Sequence, residues 1–213
     1  MKKERNISMT KPLVSTKNSS ALISYDFFYW GPLLFRTKLL DKDLEKCAKL
    51  CSKASSVVSD TLAGLIKHQH YVSTIKYYEV LLPYFQPFRE SFKAWYGKSL
   101  TKDLTMVSAW VNFMKAGEYN PPHIHNACDF SSVLFIKTPE KLAEERKKFP
   151  GTGAGPGAIS FQYGESQPHI LSEKSFFPEE GKLFIFPAIL SHYVSPFKCK
   201  GERVSIIANF RLD

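Results

Sequence analysis

A chain of 213 residues is long enough to bury one substantial core and too short for two independent domains, and its 44% hydrophobic and 14% aromatic content, with 17 Phe and 10 Tyr, excludes a disordered polymer. The net charge of +9 is spread from Lys2 to Arg211 with acids interleaved, as in DKDLEK from Asp41 to Lys46, so it reads as a solvated surface and does not favour a nucleic-acid face. The four cysteines, Cys47, Cys51, Cys128 and Cys199, form no CxxC and no dense framework, and the charged start MKKERNIS leads into no apolar segment, so reduced thiols in a cytoplasm are expected, with neither secretion nor membrane spanning.

The first hundred residues carry helical patterning. Asp41–Ala54, together with Leu40, puts Leu40, Leu44, Cys47 and Cys51 on one stripe, with acids in the first turn and lysines near the end. Thr74–Tyr96 also reads as helix, with Pro83 and Pro87 expected to kink or divide it. Beyond residue 100 the segments turn short and β-rich: Thr105–Lys115, Phe130–Lys137, Gly157–Tyr163, Gly181–Pro187 and Glu202–Phe210, bounded by turn clusters such as AGEYNPP and PGTGAGPG. Helices followed by an antiparallel sandwich or barrel make an α+β fold, in one domain of residues 1–213, with 1–100 as mainly helical support for the β body of 101–213. Jelly rolls of that kind commonly hold a ligand or metal between their sheets.

Six histidines could reach such a site. His68 and His70, in KHQHY, lie among helical sequence, where residues two apart diverge, and read as surface or helix-end groups. His123 and His125 follow a turn and adjoin a strand, where positions i and i+2 share a face and can converge on one ion. His192 stands after the segment GKLFIFP and the short loop AILS, at a strand end that an antiparallel roll can bring alongside them. Arg203 and Ser205 share one strand face, and an arginine pointing into a barrel needs an anion, which its planar fork and a nearby hydroxyl match as a carboxylate. Trp110, Asn112 and Tyr163 could line the pocket, although barrel packing accounts for them better, and His169 reads as a surface loop residue.

In this order the motifs resemble the Fe(II)/2-oxoglutarate-dependent oxygenases, over residues 105–213, and within them the prolyl-4-hydroxylase-like branch and oxygenases of marine bacteria and their phages. GEYNPPHIH stands where that family carries His-x-Asp/Glu, PEEGKLFIFP looks like the run ahead of the distal histidine, here His192, and Arg203-Val204-Ser205 resembles the Arg-x-Ser that holds the 2-oxoglutarate C5 carboxylate. The resemblance implies a double-stranded β-helix (a cupin-like jelly roll), Fe(II) as cofactor, 2-oxoglutarate and O₂ as co-substrates, and hydroxylation of a small-molecule or peptidyl substrate coupled to decarboxylation of 2-oxoglutarate to succinate.

One departure stands out: His125 occupies the place of the family's carboxylate. His125 has the spacing for third ligand and Asp129 has the charge, but Asp129 would reach the ion only if Asn126–Cys128 curled back tightly. His125 is therefore favoured, with Asp129 expected to accept a hydrogen bond from a ligating imidazole. The spacing G-x5-H-x-H-x3-D also resembles the first cupin motif, which leaves a four-ligand set of His123, His125, Asp129 and His192 open. A cupin-like metal protein without 2-oxoglutarate chemistry and a non-catalytic basic β-roll binding an anionic partner are the alternative functions. Loops 139–156 and 164–178 are expected to set substrate specificity.

Overall fold

The computed structural model describes residues 31–54, 56–58, 64–165, 167–169 and 172–213; the charged amino terminus lies outside them. Among the described residues, ten strands form two antiparallel sheets. The larger has the order β1 (Phe35–Lys38), β8 (Lys182–Pro187), β5 (Phe130–Lys137), β10 (Arg203–Leu212), β3 (Leu104–Met114) and β2 (Gln69–Tyr71). The smaller runs β4 (Asn120–His123), β9 (Ser191–Val194), β6 (Ile159–Gln162) and β7 (Glu173–Phe176). Neighbours distant in sequence, such as β10 between β3 and β5, are what a rolled-up antiparallel topology requires, and the fold is the double-stranded β-helix.

The larger sheet carries buried apolar side chains on both faces because both are covered. Alternation sends Ala109, Val111, Leu134, Ile185, Ile206, Ala208 and Phe210 toward α1 (Asp41–Ser52) and α2 (Thr74–Tyr96), where they meet Tyr77, Leu81, Phe85 and Phe88. The intervening positions Met114, Val133, Phe135, Phe184 and Phe186 point at the smaller sheet and pack on Ile159, Phe161 and Val194. Helices thus brace one face and leave the other to enclose a space.

Three details differ from the sequence reading. α2 is one helix, although it contains Pro83 and Pro87. Both prolines lie on its exposed side while Tyr77, Val80, Leu81, Tyr84, Phe85 and Phe88 form the buried stripe, so the backbone carbonyls that lose a partner face water and the helix continues. In α1 the buried residues are Asp43, Cys47 and Cys51, whereas Leu40 is the 58%-exposed N-cap residue. Asp43 is tolerated inside because Lys46 and Tyr84 both donate to its carboxylate, and these bonds, Lys46 foremost, hold its pKa below the usual carboxylate value. Finally, the N-terminal half is not helical throughout: β1 and β2 extend the larger sheet at its two edges, β2 pairing Gln69 with Asn112 and Tyr71 with Trp110. His70 is therefore a strand residue, its ring edge-on to Phe113 at 5.9 Å, and the helical reading of KHQHY is corrected. None of the described helices is long and apolar enough to cross a membrane.

Candidate active site

The strand β4 has the sequence NPPH, and two prolines would ordinarily argue against a strand. It survives as the edge of the smaller sheet, pairing only with β9, in a register that sets His123 directly opposite His192. That places the two imidazole centroids 4.3 Å apart. His192 is thus the second residue of β9, at the strand end expected after the short loop that follows β8. His125, two residues past His123, is held by its backbone N–H, which donates to Ala188 O at 2.9 Å in the β8–β9 turn. Its ring stacks on that of His192 with an interplanar angle of 15° and an Nε2···Nε2 distance of 3.3 Å.

The side-chain nitrogens of His123, His125 and His192 form the group that could hold a metal ion, all within 4.8 Å of one another. The backbone orients two of the three rings. His123 Nδ1 donates to Pro121 O at 2.7 Å and His192 Nδ1 to Leu190 O at 2.9 Å, so each ring keeps its lone pair on Nε2. Burial pushes all three pKa values down, His125 to about 4 and His192 to about 3, with His123 adding repulsion to both. Neutral imidazoles with their lone pairs free are the metal-binding form. Phe186 and Phe161 flank the His192 ring at 4.8 and 6.0 Å, and Trp110 stands 5.9 Å from His125.

Asp129 is not one of this group. The chain does curl after His125, with Ala127 in the left-handed region at φ 59°, but the curl fastens the loop to β10. Asp129 N donates to Phe210 O, Asp129 Oδ2 accepts from Leu212 N at 2.8 Å, and Ala127 O accepts from Arg211. The role foreseen for Asp129 beside a ligating imidazole is filled for His123 and His192 by the carbonyls of Pro121 and Leu190.

The three histidines line a cavity of about 410 Å³ between the sheets, together with Arg203 and Ser205. Arg203 is only 1% exposed. Its guanidinium lies over the Phe135 ring at 4.7 Å and its Nη1 meets the weak acceptor Met114 Sδ at 3.8 Å, while Nε and Nη2 have no partner among the described residues. Burial alone pushes its pKa down to about 9, because desolvation disfavours the charged guanidinium. Ser205 Oγ, two residues along the same face, is buried and equally unpaired, as is Asn112 Oδ1 across the β10–β3 register.

Trp110 and Asn112, for which barrel packing was the readier expectation, line the cavity, whereas Tyr163 is 59% exposed and does not, and His169 is the exposed loop residue expected, at φ 68°. No described residue of loops 139–156 and 164–178 reaches the cavity; part of the former is α3 (Leu142–Lys147), anchored by buried Leu142. The walls come instead from β2, β3 and β10. Gln69, 8% exposed and in register with Asn112, was missed because KHQHY was not read as a strand. Glu118 was missed too: 7% exposed, it accepts from the backbone N–H of Lys67 and of Lys115 and so clamps the turn that leads into β4. Removing two charge-assisted bonds at a buried site predicts that Glu118→Ala lowers unfolding free energy by about 2–4 kcal/mol in urea titration, and that Glu118→Gln loses less.

Residues 108–209 match the family described as "Putative 2OG-Fe(II) oxygenase". No curated protein matches the chain in sequence. Among solved structures, a prolyl-4-hydroxylase of Pseudomonas putida superposes with a TM-score of 0.53 at 15% identity, over 84% of this chain and 92% of that one. A prolyl hydroxylase of Trichoplax adhaerens, solved with a peptide fragment of the hypoxia inducible factor oxygen degradation domain, gives 0.54 at 11%, over 85% and 83%. HygX of Streptomyces hygroscopicus, with nickel and 2-oxoglutarate bound, gives 0.51 at 8%, over 84% and 82%. At such identities these likenesses speak for the fold. Together with the family match across β3 to β10, they show that this chain has the fold of the 2OG-Fe(II) oxygenases and that residues 108–209 are similar to that family in sequence.

Proposed function

We propose that the protein is an Fe(II)- and 2-oxoglutarate-dependent dioxygenase that hydroxylates its substrate while 2-oxoglutarate is decarboxylated to succinate. The observation that carries this reading is the presence, in one cavity, of three convergent imidazoles and a buried arginine whose Nε and Nη2 are unpaired. Three nitrogen donors suit Fe(II), and an unsatisfied guanidinium beside an unsatisfied hydroxyl suits a carboxylate, so the residues fit both groups. When bound, Fe(II) and 2-oxoglutarate supply the oxygen activation.

In this reading His123, His125 and His192 hold the ion, and Arg203 and Ser205 hold the distal carboxylate of 2-oxoglutarate. The carbonyls of Pro121 and Leu190 keep the Nδ1 protons in place, so that His123 and His192 offer Nε2 without rotating. Phe135 below Arg203 and the Phe161–Phe186 wall exclude water from the ends of the co-substrate that carry charge. Three imidazoles carry no negative charge, unlike the usual pair of histidines with one carboxylate. Three neutral ligands would leave compensation of Fe(II) to the carboxylate of 2-oxoglutarate that Arg203 does not hold, so metal and co-substrate are expected to bind with mutual reinforcement.

A cupin-like metal protein without 2-oxoglutarate chemistry would need the histidines but not the buried Arg203 and Ser205, and a non-catalytic basic β-roll would need neither. Anaerobic titration with Fe(II) and 2-oxoglutarate separates the three: the weak visible metal-to-ligand absorption band is expected only for the oxygenase, and its absence with iron bound favours the cupin-like reading. Asp129→Asn is expected to leave iron stoichiometry unchanged in the same titration, since its carboxylate serves Leu212 N.

A further inference from the structure

Arg203 opens β10 in register with Met114, the last residue of β3. On the other side the β10–β5 register slips between Val204 and Ser205: Val204 faces Lys137 and Ser205 faces Phe135, which leaves Ile136 as the extra residue of a bulge. Phe135 belongs with Val133 to the inner face of β5, so its ring comes up beside Ser205 and lies under the Arg203 guanidinium, 4.7 Å from its carbon. Arg203, Met114 and Phe135 are all enclosed, so the cation is held between two side chains from two different strands.

The way it is held leaves one edge free. Nη1 is turned to Met114 Sδ at 3.8 Å, while Nε and Nη2 have no partner among the described residues. Those two nitrogens share one edge of the planar group, and that edge meets a carboxylate through two parallel hydrogen bonds. The nature of the group at Nη1 then matters. A carboxylate there would close to about 2.8 Å and neutralise the cation. A thioether is a weak acceptor: it fills the space and leaves the positive charge for a ligand. Phe135 supports the plane through its face and competes for no N–H in the free edge.

Resting on the assignment of Arg203 to the distal carboxylate of 2-oxoglutarate, we propose that Met114 and Phe135 are positioning residues that make Arg203 a receptor with a single open edge. They fix the guanidinium so that Nε and Nη2, with Ser205 Oγ beside them, receive the carboxylate as a bidentate pair. Met114 acts through its chemistry as well as its bulk, because its sulfur leaves the cation uncompensated until the co-substrate arrives.

The test uses the full chain loaded with Mn(II), so that binding is read without turnover. 2-Oxoglutarate is titrated by calorimetry beside 2-oxobutanoate, which has the same 2-oxo acid end and no distal carboxylate, and thermal unfolding of the apoprotein is followed in parallel. Met114→Glu brings a carboxylate to Nη1 and is expected to weaken 2-oxoglutarate by about a hundredfold, to leave 2-oxobutanoate within about threefold of the parent, and to leave the apoprotein at least as stable, because the buried cation gains a partner. General damage to the fold would lower all three together. Met114→Leu keeps the bulk without the sulfur and is expected to hold 2-oxoglutarate within about threefold of the parent. Arg203→Lys keeps a charge without the planar edge and is expected to lose about tenfold or more. Parent-like 2-oxoglutarate affinity in Met114→Glu overturns the proposal, as does parent-like affinity in Arg203→Lys, which decides the matter alone if Met114→Glu does not fold. Arg203→Met keeps the two readings apart: if it binds 2-oxoglutarate as the parent does, the anchor assignment itself fails; if it loses the co-substrate while Met114→Glu retains it, only the positioning inference does.

Discussion

Replacing His192 by alanine is expected to abolish stoichiometric Fe(II) binding. His192 is the most buried member of the cluster at 5% exposure, it lies in register with His123, and its Nε2 sits 3.3 Å from that of His125. No carboxylate belongs to the group of described residues that could hold a metal, so none is at hand to replace a lost nitrogen. With three protein donors, loss of one leaves two, too few to retain the ion against water. Equilibrium dialysis of Fe(II) under nitrogen measures this, with circular dichroism showing that the variant folds. Tight iron in His123→Ala/His192→Ala would put the metal elsewhere.

Arg203→Met is expected to weaken 2-oxoglutarate about ten- to a hundredfold, from charge-assisted hydrogen bonds worth about 1.5–3 kcal/mol, while Fe(II) affinity without co-substrate stays within a few fold. The same substitution has an opposite effect on the free protein. A buried guanidinium with two unpaired nitrogens is an uncompensated charge, so an apolar side chain of similar length leaves the apoprotein as stable as the parent or more stable. Calorimetric titration with 2-oxoglutarate and thermal unfolding of the apoprotein read the two effects. Unchanged 2-oxoglutarate affinity would move the anchor to another cation.

The parts of this fold that alternation or turn chemistry announces were legible in the sequence. Phe130–Lys137 is the strand β5 over the residues expected, and the segments around 105–115, 181–187 and 202–210 are strands with their ends shifted by a residue or two. The rest depended on partners distant in the chain. NPPH carries no strand pattern of its own and becomes β4 only because β9 lies beside it; QHY becomes β2 only because β3 offers an edge. Pro83 and Pro87 suggested a kinked or divided helix, and that it is not divided was not legible because sequence does not reveal that both face solvent. At the site, the i and i+2 spacing of His123 and His125 was readable, and the convergence with His192 was expected. The destination of Asp129 was not, since the curl at Ala127 that could have turned its carboxylate toward the ion ties it to Leu212 instead. Nor was the polar row of Gln69, Asn112 and Ser205, because the three lie on different strands and come side by side only across the β2–β3–β10 register.

The central claim is an iron site built from three imidazoles where the family usually has two and a carboxylate. X-ray absorption of the Fe(II)-loaded protein without 2-oxoglutarate tests it most directly, through the multiple scattering that distinguishes imidazole from carboxylate ligands. The account predicts three imidazoles in the parent, unchanged in Asp129→Asn, and loss of stoichiometric iron in His125→Ala. Two imidazoles and a carboxylate in the parent, with the carboxylate lost in Asp129→Asn, would contradict it.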